Sequence, residues 1–258
     1  MHAYGDRARL DNLFKAEINR FIETHPQSGK NHQKALGPMV QGVPMIWMSK
    51  WPGPFPIYVD HAKGSHFTDV DGLDYTDFCL GDTGAMCGHA PDATVKAVQN
   101  QIAKGSTYML PTEDAIVSAN LLAERFGLPK WQFTLTATDA NRHILRYARH
   151  VTGRQKIAVH DYCYHGTVDE TFAVLDDNGN TVPRHDNIGM PVHPNQTTVV
   201  VPFNDLEAAE KAFASGEVAA MLMEPALTNI GIVLPEPGYL EGMQALCQKY
   251  DVIWILDE

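Results

Sequence analysis

Apolar side chains at Leu10, Leu13, Phe14, Ile18, Phe21 and Ile22 recur at close to helical spacing, which predicts a helix over residues 7–24, ended by Pro26 and Gly29. The stretch from Gly37 to Pro56 has no period. Met45, Ile46, Trp47, Met48 and Trp51 are poor company for solvent, so an ordered loop is expected there. Residues 57–78, IYVDHAKGSHFTDVDGLDYTDF, alternate in short runs around Gly64 and the Asp71-Gly72 pair, the pattern of a small antiparallel meander. Helices near 91–104 and 112–126 are expected on either side of a loop from Gly105 to Pro111.

From Trp131 the texture changes. WQFTL predicts a strand, Asp139–Val151 a helix, KIAVH a strand, and Asp176–Gln196 polar loops. TTVVV, VAAMLME and VIWILD then read as strands, separated by helices over Asp205–Phe213 and Gly238–Tyr250. Continuously apolar strands alternating with helices signal an α/β fold with a mostly parallel central sheet, covered by helices on both faces. Residues 1–80 read as an N-terminal segment with part of a small α+β domain, and 81–258 as the N-terminal portion of a larger domain. The strand VIWILD halts at its carboxyl end with no helix to cover it, so the chain is expected to be interrupted there.

Charge and composition narrow the function. A net charge of −11 leaves no basic face for nucleic acid or an anionic membrane. No apolar run reaches the roughly 18–20 residues of a membrane span, and the charged start lacks the apolar stretch of a signal peptide. Cys79, Cys87, Cys163 and Cys247 form no C-x-x-C pair, which predicts free thiols in a reducing, cytoplasmic compartment. His160 and His165 flank Cys163, but no second ligand pair stands at structural-zinc spacing, so no metal is expected.

In α/β sheets ligands bind at the carboxyl ends of strands, and three such places carry candidate chemistry. Thr136-Ala137-Thr138-Asp139 leads into a helix start, where free amides and the helix dipole favour an anion; an ordinary N-cap, with Thr138 or Asp139 capping the helix, is the plainer alternative. Tyr162-Cys163-Tyr164-His165-Gly166 follows KIAVH and offers an aromatic face for a planar cofactor, or simply a tyrosine packed on the sheet. Asp257 closes VIWILD, where a carboxylate needs a partner, and Glu224 closes VAAMLME one βαβ unit earlier.

These segments, in this order, resemble class III aminotransferases and the related glutamate-1-semialdehyde aminomutases. The resemblance runs from about residue 37 to the end. It rests on Asp69-Val70-Asp71-Gly72, Cys87-Gly88-His89-Ala90, Phe133 to Asn141, HVTGRQK, Cys163 to Gly166, Phe203-Asn204-Asp205, Met223-Glu224-Pro225 and Ile255 to Glu258. It implies the PLP-dependent transferase fold type I, with pyridoxal 5'-phosphate as cofactor. By the same resemblance Thr136, Ala137 and Thr138 hold the phosphate, Tyr164 stacks on the ring beside His165, and Asp257 binds the ring nitrogen. Glu224 and Asn229 lie at the substrate side.

Two departures from the family pattern matter. The phosphate turn reads Thr-Ala-Thr-Asp-Ala where the family has Ser-Gly-Thr-Glu-Ala, and an alanine for glycine strains any left-handed backbone. The loop GVPMIWMSKW also lacks the arginine that grips a substrate carboxylate in the aminomutase. Lys50 is its only cation and offers no bidentate fork. With Trp47 and Trp51, it points to a hydrophobic amine donor and a keto-acid acceptor, hence a transaminase. An aminomutase or epimerase is the alternative, and a non-catalytic relative a further one. Lys130, Lys156 and Lys249 sit at the wrong ends of elements, so the Schiff-base lysine is expected beyond Glu258. A homodimer with shared active sites is implied.

Overall fold

The computed structural model describes residues 7–185 and 187–258. The first six residues, part of the start read as lacking a signal peptide, lie outside them. The chain divides into two compact units at Thr112/Glu113, whereas the sequence reading drew its boundary at residue 80.

In the first unit, α1 spans Arg7–Thr24, as its periodicity predicts. Pro26 ends it, but the chain turns helical again at once: α2 is Pro26–Ala35, with the proline in the first turn, where its missing N–H is not needed. The sequence reading missed this helix because its start is capped from far along the chain. The Asp71 carboxylate accepts from the backbone N–H of Gln27 (2.6 Å) and Ser28 (2.9 Å). Burial alone would raise its pKa, but the Ser28 hydroxyl, which donates to Oδ2 at 2.7 Å, together with these two N–H bonds and the nearby His25 holds Asp71 below the usual carboxylate range.

The apolar loop forms two short 3-10 turns, Val40–Gly42 and Ile46–Lys50. Ordered it is, but Met45, Ile46, Trp47 and Trp51 remain at least 40% exposed within their own unit. β1 (Val59–Lys63), β2 (His66–Asp69) and β3 (Asp74–Thr76) make the antiparallel meander, in that order. Helix α3 follows at Asp92–Ile102.

The second unit opens with α4 (Glu113–Phe126) and α5 (Ala137–Thr152). Four parallel strands follow: β4 (Lys156–His160), then, past the short hairpin of β5 (Ala173–Leu175) and β6 (Thr181–Pro183), β7 (Thr198–Val201), β8 (Val218–Met223) and β9 (Ile253–Leu256). Their order is β7-β4-β8-β9. Helices α6 (Leu206–Phe213) and α7 (Tyr239–Lys249) cover one face through Ala209, Phe213, Met243 and Cys247; Leu145 and Ala148 of α5 pack on the other. All six residues of β8 are buried, as expected of a central parallel strand. Truncating Leu222 to alanine in this layer costs about 2–5 kcal/mol.

Two expectations fail here. Residues 131–135 are not a strand: no partner pairs with them among the described residues, and Leu135 is 97% exposed. An apolar run cannot become a strand without a neighbour for its backbone groups. The polar stretch after Asp176 is not all loop, since β6 pairs with β5. Strands of three residues are too short to show a period, and the turn is built by Asp176 accepting from the backbone N–H of Asn178 and Asn180. Among the described residues no helix is long and apolar enough to cross a membrane.

Candidate active site

Parallel strands deliver their carboxyl ends to one edge of a sheet. Here the Asp257 N–H, just past β9, donates to the Met223 carbonyl of β8 at 2.9 Å, which sets Asp257 beside Glu224 at that edge. A cavity of roughly 410 Å³ opens there, lined by Tyr164, Glu224, Pro225, Ala226, Thr228, Asp257 and Glu258.

Asp257 is held from two sides. His165 Nδ1 lies 2.7 Å from Oδ2, and Asn141 Nδ2 donates to the same oxygen at 2.8 Å. Its Oδ1 carries no hydrogen bond among the described residues, and the side chain is 21% exposed. Burial alone raises its pKa, but the bonds from His165 and Asn141, with His165's charge when protonated, bring it below the ordinary aspartate value. His165 is itself buried, and its Nε2 has no partner among the described residues.

The phosphate-turn candidate folds as the start of α5. Thr136 is the N-cap, its hydroxyl accepting from Asp139 N–H at 3.0 Å. The helix is therefore capped, but by Thr136 and not by Thr138 or Asp139, which both lie inside its first turn, while the amides of Ala137 and Thr138 have no intrahelical acceptors by the geometry of a helix start. Ala137 is helical and does not enter the left-handed region, so the alanine is accommodated without backbone strain.

A tight crossing ties this turn to the loop after β4. Thr138 Oγ1 accepts from Thr167 N–H at 3.1 Å, and Gly166 passes so close that a Cβ on it would stand 2.0 Å from that oxygen. With φ at +78°, Gly166 answers both a steric and a conformational demand. Tyr164 is half exposed on the cavity, so it is not simply packed on the sheet.

Glu224 is committed to its own loops. Oε1 accepts from Tyr164 N–H at 3.0 Å, and Oε2 from the N–H and hydroxyl of Thr228 at 2.8 and 2.9 Å. It thus anchors the loop that carries Tyr164. Asn229 is exposed in an irregular segment bridged between Leu227 and Val233, and does not line the cavity.

Trp47, Lys50 and Trp51 line a separate cavity of roughly 630 Å³ within the first unit, with Val43, Met48 and Tyr58 among its walls. Among the described residues no cluster of His, Cys, Asp or Glu is placed to hold a metal ion, and all four cysteines are free. Cys163 is buried, and burial pushes its thiol up to about 12.

Asn141 is the residue the sequence reading did not single out. It lay inside the stretch quoted for the resemblance but was given no role. Its signal was spacing: it stands three residues after Thr138, on the same face of α5 as the phosphate turn.

The parallel sheet, with a helix start, an aromatic loop and a carboxylate at one edge, has the PLP-dependent transferase fold type I. A family model for class-III aminotransferases matches residues 47–258, and the chain belongs to that family. It is 36% identical over 209 residues to a glutamate-1-semialdehyde 2,1-aminomutase of Anaeromyxobacter dehalogenans, covering 80% of this chain and 49% of that one. The crystal structure of a glutamate-1-semialdehyde-aminomutase from Pseudomonas aeruginosa is 47% identical, with a TM-score of 0.94 over 98% of this chain and 56% of that one. An omega-transaminase from Sphaerobacter thermophilus matches at 29% identity and a TM-score of 0.81, covering 89% of this chain and 54% of that one. The chain spans about half the length of the curated relatives it matches.

Proposed function

We propose that this chain is part of a pyridoxal-phosphate enzyme that moves an amino group, and that its reaction is of the glutamate-1-semialdehyde aminomutase type. The observation that carries the cofactor reading is Asp257, a carboxylate kept ionised with one oxygen uncommitted at the cavity. The identity to aminomutases, higher than to the transaminase above, favours mutase over transaminase. The order of preference drawn from the sequence is thereby reversed.

The residues present fit the cofactor. The first amides of α5 and the hydroxyl of Thr138 suit its phosphate, with Thr136 capping that turn, the half-exposed Tyr164 suits its ring, and the free Oδ1 of Asp257 suits a protonated ring nitrogen. When bound, the cofactor supplies an electron sink that makes a substrate α-proton removable. The chain's own part is positional and electrostatic. Asp257 keeps a proton on the ring nitrogen, Glu224 and Thr228 fix the loop behind Tyr164, and Gly166 lets that loop close on Thr138. The lysine that takes the α-proton is proposed to lie beyond Glu258.

A second reading, a transaminase for a hydrophobic amine and a keto acid, is favoured by the arginine-free cavity of Trp47, Lys50 and Trp51. A homodimer with shared active sites is proposed as well. The exposed Met86, Met109 and Leu110 support a partner over the Gly81–Pro111 region. The free thiols suit a cytoplasmic location.

The test is made on the complete protein. Violet absorption after loading with pyridoxal phosphate, then isomerisation of glutamate-1-semialdehyde with no added keto acid, is the expected result. Turnover of apolar amines that depends strictly on a keto acid would put the transaminase first. Failure to bind the cofactor would remove both readings.

A further inference from the structure

We propose that Asn141 is a positioning residue that aligns Asp257 with the ring-nitrogen end of the cofactor, while the same turn of α5 holds the phosphate end. The inference rests on the pyridoxal-phosphate reading above and adds a residue to which no role has been attached.

The carboxamide of Asn141 is 5% exposed and spends both its hydrogens on the site. One goes to Asp257 Oδ2 at 2.8 Å, the other to the backbone carbonyl of His165 at 3.1 Å. The first bond fixes the rotation of the carboxylate. The second fixes the loop that brings His165 Nδ1 to the same oxygen. Three residues earlier on the same helix face, Thr138 holds the next part of that loop through Thr167 N–H. One helical turn therefore grips the loop at two points, and its spacing sets the distance between phosphate turn and carboxylate.

An asparagine suits this position for a chemical reason. It donates to Asp257 without a charge, so Asp257 stays ionised and keeps its own charge for the cofactor. The ionisable groups around Asp257 are His165 and Tyr164 from the loop after β4, Glu224 at the end of β8, and Glu258 next in the chain. Glu224 is satisfied by Tyr164 and Thr228, and His165 and Asn141 are the side chains bonded to the Asp257 carboxylate.

The experiment uses the complete protein loaded with pyridoxal phosphate carrying an isotope-labelled ring nitrogen, read by NMR. Asn141→Leu keeps size and removes both donors. We expect kcat to fall about ten- to hundredfold, the scale of one charge-assisted hydrogen bond, with KM little changed. The ring-nitrogen signal should move toward the unprotonated form.

Asn141→Asp keeps shape and puts a second carboxylate against Asp257. Its carboxyl can donate when protonated and repels when ionised, so its kcat relative to wild type should be higher at about pH 6 than at about pH 9. A merely structural role would lower melting temperature in both variants and leave the ring-nitrogen signal and the pH profile as in wild type, and that result overturns the proposal. If Asn141→Leu does not fold, the profile of Asn141→Asp decides alone. Absence of cofactor binding in the wild type would refute the functional reading itself, an outcome distinct from either.

Discussion

The two compact units handle their side chains in opposite ways. In the second unit the candidate groups are tied down: Asp257 by His165 and Asn141, Glu224 by Tyr164 and Thr228, Thr138 by Thr167. In the first unit Trp47, Lys50 and Trp51 line a cavity on irregular backbone, and Trp47 stays 57% exposed. The polar network has few arrangements that satisfy every donor and acceptor, because a buried group left unpaired is expensive. Apolar contact is non-directional and accepts many arrangements. The difference supports the proposal that the chemistry, which needs fixed atoms, belongs to the second unit, and the choice of substrate to loops like those of the first.

The largest effect expected from breaking the tied-down side belongs to Asp257. Asp257→Asn in the complete protein should retain the cofactor yet lose about three powers of ten in turnover, the scale of several kcal/mol in barrier. Steady-state kinetics beside an absorption spectrum measure both, and near-normal turnover would take Asp257 out of the chemistry.

Gly166→Ala comes next. The added carbon meets Thr138 Oγ1 at 2.0 Å in a backbone at φ +78°, so the loop must shift. A loss of about 2–4 kcal/mol in stability is expected, with weaker cofactor binding, by chemical denaturation and equilibrium dialysis. Adding Thr138→Ala should restore part of the stability, because it removes the clashing oxygen and leaves the strained φ. Full tolerance of the single variant would mean the loop is loose.

His160 tests the same unit through pH. Its Nδ1 lies 3.3 Å from the Val201 carbonyl and its Nε2 3.2 Å from the Tyr239 hydroxyl. A neutral ring that donates at Nδ1 and accepts at Nε2 satisfies both. Burial lowers its pKa to about 4. The unfolded chain binds this proton below about pH 6.5 while the folded one does not, so protonation favours unfolding. Stability should therefore fall by roughly 3 kcal/mol between about pH 6.5 and 4, and His160→Gln should flatten that slope in urea titrations at stepped pH.

The smallest effect is expected on the loose side. Lys50→Ala should change kcat/KM for apolar donors less than about threefold, an exposed cation being of little use to them. If acidic substrates dominate in wild type and collapse in Lys50→Ala, the lysine is the missing carboxylate clamp. The apolar-amine reading then fails, and the aminomutase reading is strengthened.

Much of this was legible in the residues. The parallel strands declared themselves as short apolar runs, and the helices between them by period and caps. Asp257 was singled out because ligands in α/β folds gather at strand ends, and Thr136 by its place at a helix start after a run that did not become a strand. Two of the features that stayed hidden have partners far away in sequence. Helix α2 begins where Asp71 caps it, forty-three residues beyond Ser28. Asn141 reaches Asp257 across 116 residues. The run at 131–135 had the right composition but no neighbour to pair with, so it stayed irregular.

The sequence by itself determined most element types, the family, and Tyr164, Glu224 and Asp257 among the residues that line the cavity, since periodicity, caps and motif order are local properties. Only the tertiary structure decided what those residues do. It shows Glu224 bonded to Tyr164 and Thr228 while still lining the cavity, and Asn229 outside that lining. It also made Asn141, silent in the sequence, a partner of Asp257. Hydrogen bonds are directional and reach about 3 Å, so the role of a polar side chain is set by which distant segment the fold brings within that reach.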